Sequence, residues 1–197
     1  MKREMKDRIV FRMGKHVYLR PILKEDIPHF TRWINDPEVT AFLKMSVPMT
    51  PEDELAWFES LQKRKDTDIS FAIALTDTDE VIGNMSLVRI NHRHGTATTG
   101  SMIGSKDCWG KGYGTEAKML LLEYAFHTLN LRKICSTVYA FNGRSKRCLE
   151  KCGYREEARL RDHIYSNGSY HDVFLLAVFR EEFEKLWKEY CETTIKK

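Results

Sequence analysis

The chain predicts a single α/β domain, with a mixed sheet and helices on both of its faces. Three observations carry that reading. The apolar period switches repeatedly between helical spacing and strand alternation. The elements follow the order β α α β β β α β α β β α. Near the C-terminus, Asn167-Gly168 joins two strand-like runs, the strongest short-range signal for a hairpin. A length of 197 residues is enough for one domain with a full core.

Residues 1–14 are expected to be an arm, or an extra strand. His16 to Arg20 alternates and predicts a strand ended by Pro21. Lys24 to Ile34 predicts a helix with Ile27, Phe30 and Ile34 on one face, broken by Asn35-Asp36-Pro37. Thr50-Pro51-Glu52-Asp53 starts a second helix, with proline in the first turn and acids near the positive end of the dipole. It carries Leu55, Trp57, Phe58 and Leu61. Phe71–Leu75, Val81–Val88 and Thr96–Ile103 predict three strands. The next helix places Ala117, Leu120, Leu121, Tyr124, Ala125 and Leu129 at amphipathic spacing. Lys133–Val138 predicts a strand and Ser145–Lys151 a short helix stopped by Gly153. Strands Tyr154–Tyr165 and Tyr170–Phe179 flank Ser166-Asn167-Gly168. A helix over Arg180–Tyr190 precedes a tail over 191–197, so the working domain spans 15–190.

Composition narrows the function. Apolar residues are 42% and charged residues 30%, as in a soluble globular protein. No run reaches the roughly 20 apolar residues of a membrane span. The charged start Met1-Lys2-Arg3-Glu4 is not a secretory signal. Five cysteines, an odd number, predict free thiols in a reducing cytoplasm. The net charge of +4 comes without a dense basic tract, so neither nucleic acid nor a membrane is an expected partner. A modest positive field still gathers anionic ligands.

The segment Trp109-Gly110-Lys111-Gly112-Tyr113-Gly114-Thr115-Glu116 is the most informative part of the chain. Three alternating glycines open straight into a helix. Glycine permits positive φ and close approach of a ligand. The helix start adds unpaired N–H groups and a positive dipole end, together a cradle for phosphate. A P-loop fails on spacing: Gly104 to Gly110 is one residue too long, and Gly112 stands where Ser or Thr should bind magnesium. A dinucleotide fingerprint fails because Gly114 comes one residue early. A ligand-free turn remains the alternative until context decides.

The context is a second motif about thirty residues on, Asn142-x-x-Ser145-x-x-x-Leu149-Glu150-Lys151-x-Gly153-Tyr154. With the element order and the glycine segment, it makes nearly the whole chain resemble the GNAT superfamily of N-acetyltransferases. The wording W-G-K-G-Y-G-T-E-A is most similar to the ribosomal-protein N-terminal acetyltransferases of the RimJ/RimL type. Leu19-Arg20-Pro21 and Trp33-x-Asn35-Asp36-Pro37-Glu38-Val39 agree with that branch. The resemblance implies a mostly antiparallel sheet flanked by helices, the GNAT acyl-CoA N-acyltransferase fold. It also implies acetyl-CoA as co-substrate, no metal, and direct transfer of acetyl to a primary amine.

Under that resemblance, the backbone N–H groups of Gly110, Lys111, Gly112, Tyr113, Gly114 and Thr115 hold the pyrophosphate. A backbone N–H near Ile103 polarises the thioester carbonyl. Asn142 bonds the pantetheine arm, although asparagine after a strand is also a good helix cap. Ser145 is the candidate catalytic donor to the leaving sulfur; its plain reading is a cap or a solvated hydroxyl. Arg144, Lys146 and Arg147 are candidates for the adenosine 3′-phosphate, or a solvated basic face. Three departures stand out. Trp109 replaces the usual Gln or Arg, Leu149 replaces a tyrosine acid, and Thr98 falls where relatives carry a glutamate base.

Other residues read more simply. His92-x-His94 lacks a third ligand, so loop solvation outweighs a metal or a proton relay. Cys148 and Cys152 predict buried packing. Cys108 precedes the loop without a catalytic pattern around it, and Trp33, Trp57 and Phe58 predict core. The branch points to a protein or peptide N-terminus as acceptor. The alternatives are a small amine (polyamine, amino sugar or aminoglycoside) or a non-catalytic acyl-CoA-binding module. Monomer and homodimer both remain open.

Overall fold

A computed structural model describes residues 8–43 and 47–195. Its centre is one eight-stranded sheet. The strands are β1 (Arg12–Met13), β2 (Val17–Pro21), β3 (Ile69–Leu75), β4 (Val81–Asn91), β5 (Thr96–Ile103), β6 (Lys133–Tyr139), β7 (Arg155–Ser166) and β8 (Ser169–Phe179). Their spatial order is β1-β2-β3-β4-β5-β6-β8-β7. Every neighbouring pair is antiparallel except β5 with β6. The mixed, mostly antiparallel α/β sheet expected from the sequence is therefore present.

Helices α1 (Ile27–Ile34), α2 (Pro37–Thr40), α3 (Pro51–Lys63), α4 (Tyr113–Glu123), α5 (Gly143–Lys151) and α6 (Arg180–Tyr190) cover both faces. Side chains of a strand alternate between faces, and β3 shows the consequence. Phe71 and Ile73 join the core beneath α4, α5 and α6, whereas Ala72 joins the core beneath α1, α2 and α3. Burial on both faces explains its near-continuous apolar sequence.

Some boundaries differ from expectation. The first helix begins as a 3₁₀ turn over Lys24–Asp26. There the Arg20 guanidinium grips both oxygens of Asp26 at 2.7 Å. Asn35-Asp36-Pro37 does not simply break the chain. The Asp36 side chain accepts from the Glu38 N–H and caps the short α2. The start at Thr50 is a full capping box with Asp53. Asn167 and Gly168 both have positive φ, as a two-residue primed turn requires.

Helix α4 corrects the amphipathic reading. Glu116, Ala117, Lys118, Met119, Leu120, Leu121 and Leu122 are all buried. The sheet lies beneath this helix and its flanks meet α5 and α6, so no face is left for solvent. A π-helical turn at Tyr124–Thr128 extends it, with the Leu129 N–H bonded to the Tyr124 carbonyl at 3.1 Å.

Candidate active site

The sheet is split in its middle. β5 and β6 pair only at Thr96–Thr98 with Lys133–Cys135. Beyond that point β5 stays bonded to β4 and β6 to β8, while the two strands part. Thr99–Ile103 and Ser136–Tyr139 line the resulting cleft, a cavity of about 550 Å³.

The hydrogen-bond pattern shows which backbone groups face this opening. The Gly104 N–H donates to the Ile82 carbonyl at 2.9 Å. The facing pair Gly83–Ile103 is therefore a non-hydrogen-bonded one, so the N–H and C=O of Ile103 turn away from β4. The same alternation turns Ser101 and Thr99 outward. The Thr99 carbonyl indeed accepts from the Ser136 hydroxyl at 3.3 Å. Unpaired backbone groups in the middle of a sheet need a partner, and an extended polar ligand supplies one.

At the mouth stands the glycine loop. Gly110 (φ 78°) and Gly112 (φ 87°) hold left-handed conformations that side chains resist, with open space around both α-carbons. Among the described residues, the N–H groups from Gly110 to Gly114 have no protein partner; Thr115 is the first to bond back, to the Gly112 carbonyl at 3.0 Å. Five free donors at the positive end of α4 fit an anionic phosphate group. Four basic side chains (Lys118, Arg144, Arg147 and Lys151) and no carboxylate line the cleft among the described residues.

Two contacts brace the loop. The Trp109 indole donates to the Ile103 carbonyl at 2.6 Å. The buried Glu116 accepts from the His16 N–H at 2.8 Å and the Val17 N–H at 3.4 Å, pinning the first turn of α4 to β2. Carboxylate at a helix N-terminus is itself favourable.

The structure brings together Ile103, Gly110, Gly112, Tyr113, Gly114, Thr115, Asn142 and Ser145 around one cleft. Lys111 is exposed and outside the lining. Asn142 is the cap of α5, accepting from the Ser145 N–H at 3.0 Å. The half-buried Ser145 hydroxyl makes no hydrogen bond among the described residues. Buried Leu149 lines the wall. Thr98 lies outside the cleft and accepts from Arg89 at 3.4 Å.

Other candidates move. His92 and His94 are exposed in the β4–β5 turn, beyond the paired end of β5 and away from the cleft, which removes the relay idea. Arg144 stacks 3.8 Å over the Trp109 ring and 5.4 Å from that of Phe42, bridging the cleft mouth. Lys146 pairs with Glu156 at 2.9 Å and faces Phe174, outside the cleft. Among the described residues, no cluster of three metal-ligating side chains is present, and no helix is long and apolar enough to cross a membrane.

Sequence reasoning missed three features. Thr99, Ser136 and Tyr154 form a buried polar group where the strands part, with the Tyr154 and Thr99 hydroxyls 3.0 Å apart. Burial pushes the Tyr154 pKa well above its ordinary value, so the phenol keeps its proton. The Arg144–Trp109 stack joins residues far apart in sequence. Lys118, buried and lining the cleft, lies off the apolar stripe that periodicity picked out.

The family model for the acetyltransferase (GNAT) domain matches residues 16–155, and the chain belongs to that family. It is an N-acetyltransferase. It is 30% identical to the uncharacterized N-acetyltransferase p20 of Bacillus licheniformis, over 84% of this chain and 93% of that one. Two solved structures share the fold. Spermidine N-acetyltransferase from Vibrio cholerae, in complex with CoA and spermine, gives a TM-score of 0.79 at 22% identity, covering 86% of this chain and 98% of that one. RimJ of Mycobacterium smegmatis, in complex with CoA-disulfide, gives 0.78 at 22% identity, covering 92% and 90%.

Proposed function

We propose that this enzyme moves acetyl from acetyl-CoA directly to the free amine of a protein or peptide N-terminus, in the cytoplasm. The observation that carries the donor assignment is the continuity between the glycine cradle and the cleft. Free N–H groups at Gly110–Gly114 meet the pyrophosphate, and the outward backbone groups of Ser101 pair with a pantetheine amide. The Ile103 N–H then stands as the donor to the thioester oxygen. Asn142 and Ser145 flank the same path. The Ser145 hydroxyl would give its proton to the departing thiolate as the C–S bond breaks and regain one from the amine nitrogen that has bonded the acetyl carbon, so transfer needs no covalent enzyme intermediate. Positioning of amine and thioester supplies most of the rate.

RimJ-type wording in the glycine loop supports the protein N-terminus. The second reading, a polyamine or other small amine, draws on the likeness to the Vibrio cholerae spermidine enzyme. A binding module without turnover is the third.

Calorimetric titration with acetyl-CoA tests the cradle. Gly112→Glu forces a side chain into left-handed backbone and puts a carboxylate where phosphate belongs, so binding should vanish. Unchanged affinity in a folded Gly112→Glu protein would reject the loop assignment.

A further inference from the structure

The wall between α4 and α5 holds a side-chain group that acetyl transfer does not use. Thr115 sits at its centre. Its hydroxyl donates to Cys148 Sγ at 3.5 Å, and its carbonyl accepts from Cys152 Sγ at 3.6 Å. Cys148 is half-buried and lines the cleft, and its sulfur would lie 3.9 Å from a Cβ on Gly114. Cys152 is fully buried.

Lys118, about a turn further along α4, is 2% exposed and lines the same cleft. Among the described residues it has no carboxylate partner and no hydrogen bond. Burying an ammonium alone is costly, so the group requires an anion or loses its proton. Burial pushes the Lys118 pKa down, and the neighbouring thiols of Cys148 and Cys152 act against that shift by favouring the ammonium. Other titratable groups near the Cys148 sulfur are Lys151 from α5 and Tyr154, just before β7. A nearby cation and a helix N-terminus are the surroundings that make a cysteine reactive.

We propose that Cys148 and Lys118 form a thiolate–ammonium pair that makes this wall a covalent modification site for small disulfides and alkylating agents, and that the modified cysteine excludes acyl-CoA from the cleft. The exclusion rests on the acetyl-CoA reading; the reactive pair does not. With a small disulfide, the thiolate attacks one sulfur, a mixed disulfide forms, the original S–S bond breaks and one thiolate leaves. With iodoacetamide an S–C bond forms, the C–I bond breaks and iodide departs. The neighbouring Cys152 thiol is the largest influence on Cys148. With Thr115 and the Lys118 charge it overcomes burial and lowers the thiol pKa to about 6. Cys152 moves the opposite way.

The test labels the intact protein with iodoacetamide across a pH series and maps adducts by mass spectrometry. Cys148 should take the first adduct, ahead of Cys108, Cys135 and Cys152, with labelling half-maximal near pH 6. Lys118→Met should move that midpoint upward, as should the near-isosteric Thr115→Val, which guards against one variant failing to fold. Cys148→Ser should lose the adduct. First labelling elsewhere, or a Cys148 midpoint near that of an ordinary thiol and unmoved by both variants, overturns the pair. Calorimetry with acetyl-CoA on unlabelled and labelled protein tests exclusion. Binding lost on labelling supports it, and equal binding overturns it. Failure of the unlabelled protein to bind defeats the acetyl-CoA reading and exclusion together, while the labelling midpoint still decides the pair.

Discussion

The Trp109 indole N–H donates to the Ile103 carbonyl at 2.6 Å, fastening the start of the glycine loop to the end of β5. One bond thus couples the two parts of the proposed cofactor site, the phosphate cradle and the strand edge that meets the thioester. Trp109→Phe should keep a ring for Arg144 to stack on while removing this bond. Affinity for acetyl-CoA should fall about fivefold, the equivalent of ~1 kcal/mol for one hydrogen bond. Titration calorimetry checks it, with unfolding midpoints showing whether stability changes.

Ser145 offers a clean separation of roles. The cap of α5 uses its backbone N–H, which Ser145→Ala retains. The variant should therefore fold and bind acetyl-CoA normally while kcat drops by up to about 10²-fold, the lower range for acid–base help. Steady-state kinetics decide this, and an unaltered kcat would remove Ser145 from the chemistry.

Glu116 is the anchor of α4. Its Oε1 accepts from the His16 N–H just before β2 and from the Val17 N–H that opens it, and a Cβ at Gly14 would collide with it, so the fit leaves no slack. Glu116→Ala leaves those donors without their acceptor and should destabilise the protein by about 2–3 kcal/mol in urea unfolding. Glu116→Gln retains an acceptor and should lose less.

The start of α3 should loosen in acid. Asp53 accepts from the Thr50 N–H and hydroxyl, which holds its pKa below the usual carboxylate value. A folded pKa below the unfolded one adds stability above the ordinary carboxylate range, and that stability is lost as pH falls through the lower, folded value. Amide exchange at the α3 N-terminus should therefore gain protection less than other helix starts as pH drops from 7 to 3. Asp53→Asn should flatten that dependence.

Local signals made most of the fold legible. Thr96–Ile103 and Arg180–Tyr190 carry their periods cleanly, and Asn167-Gly168 fixes its hairpin through positive φ. The glycine cradle was legible for the same reason, because glycine spacing records backbone conformation directly. Features made by distant partners were not. Nothing near Lys118 in sequence tells that α5 and α6 bury the polar side of α4. The splitting of β5 from β6 leaves no compositional mark, since Thr99 and Ser136 look like ordinary strand residues. Arg144 reads as a surface cation until Trp109 lies beneath it.

The most direct test of the central claim is CoA thiol release from acetyl-CoA against pooled amines: N-terminal peptides, polyamines, amino sugars and aminoglycosides. The account predicts release that depends on the peptide pool, with acetyl found on the α-amine by mass spectrometry. Acetyl-CoA binding with no release from any pool would contradict the assignment of an acetyl-CoA-dependent transferase acting on these amines and leave a binding module. Release with a small-amine pool alone would contradict the choice of acceptor.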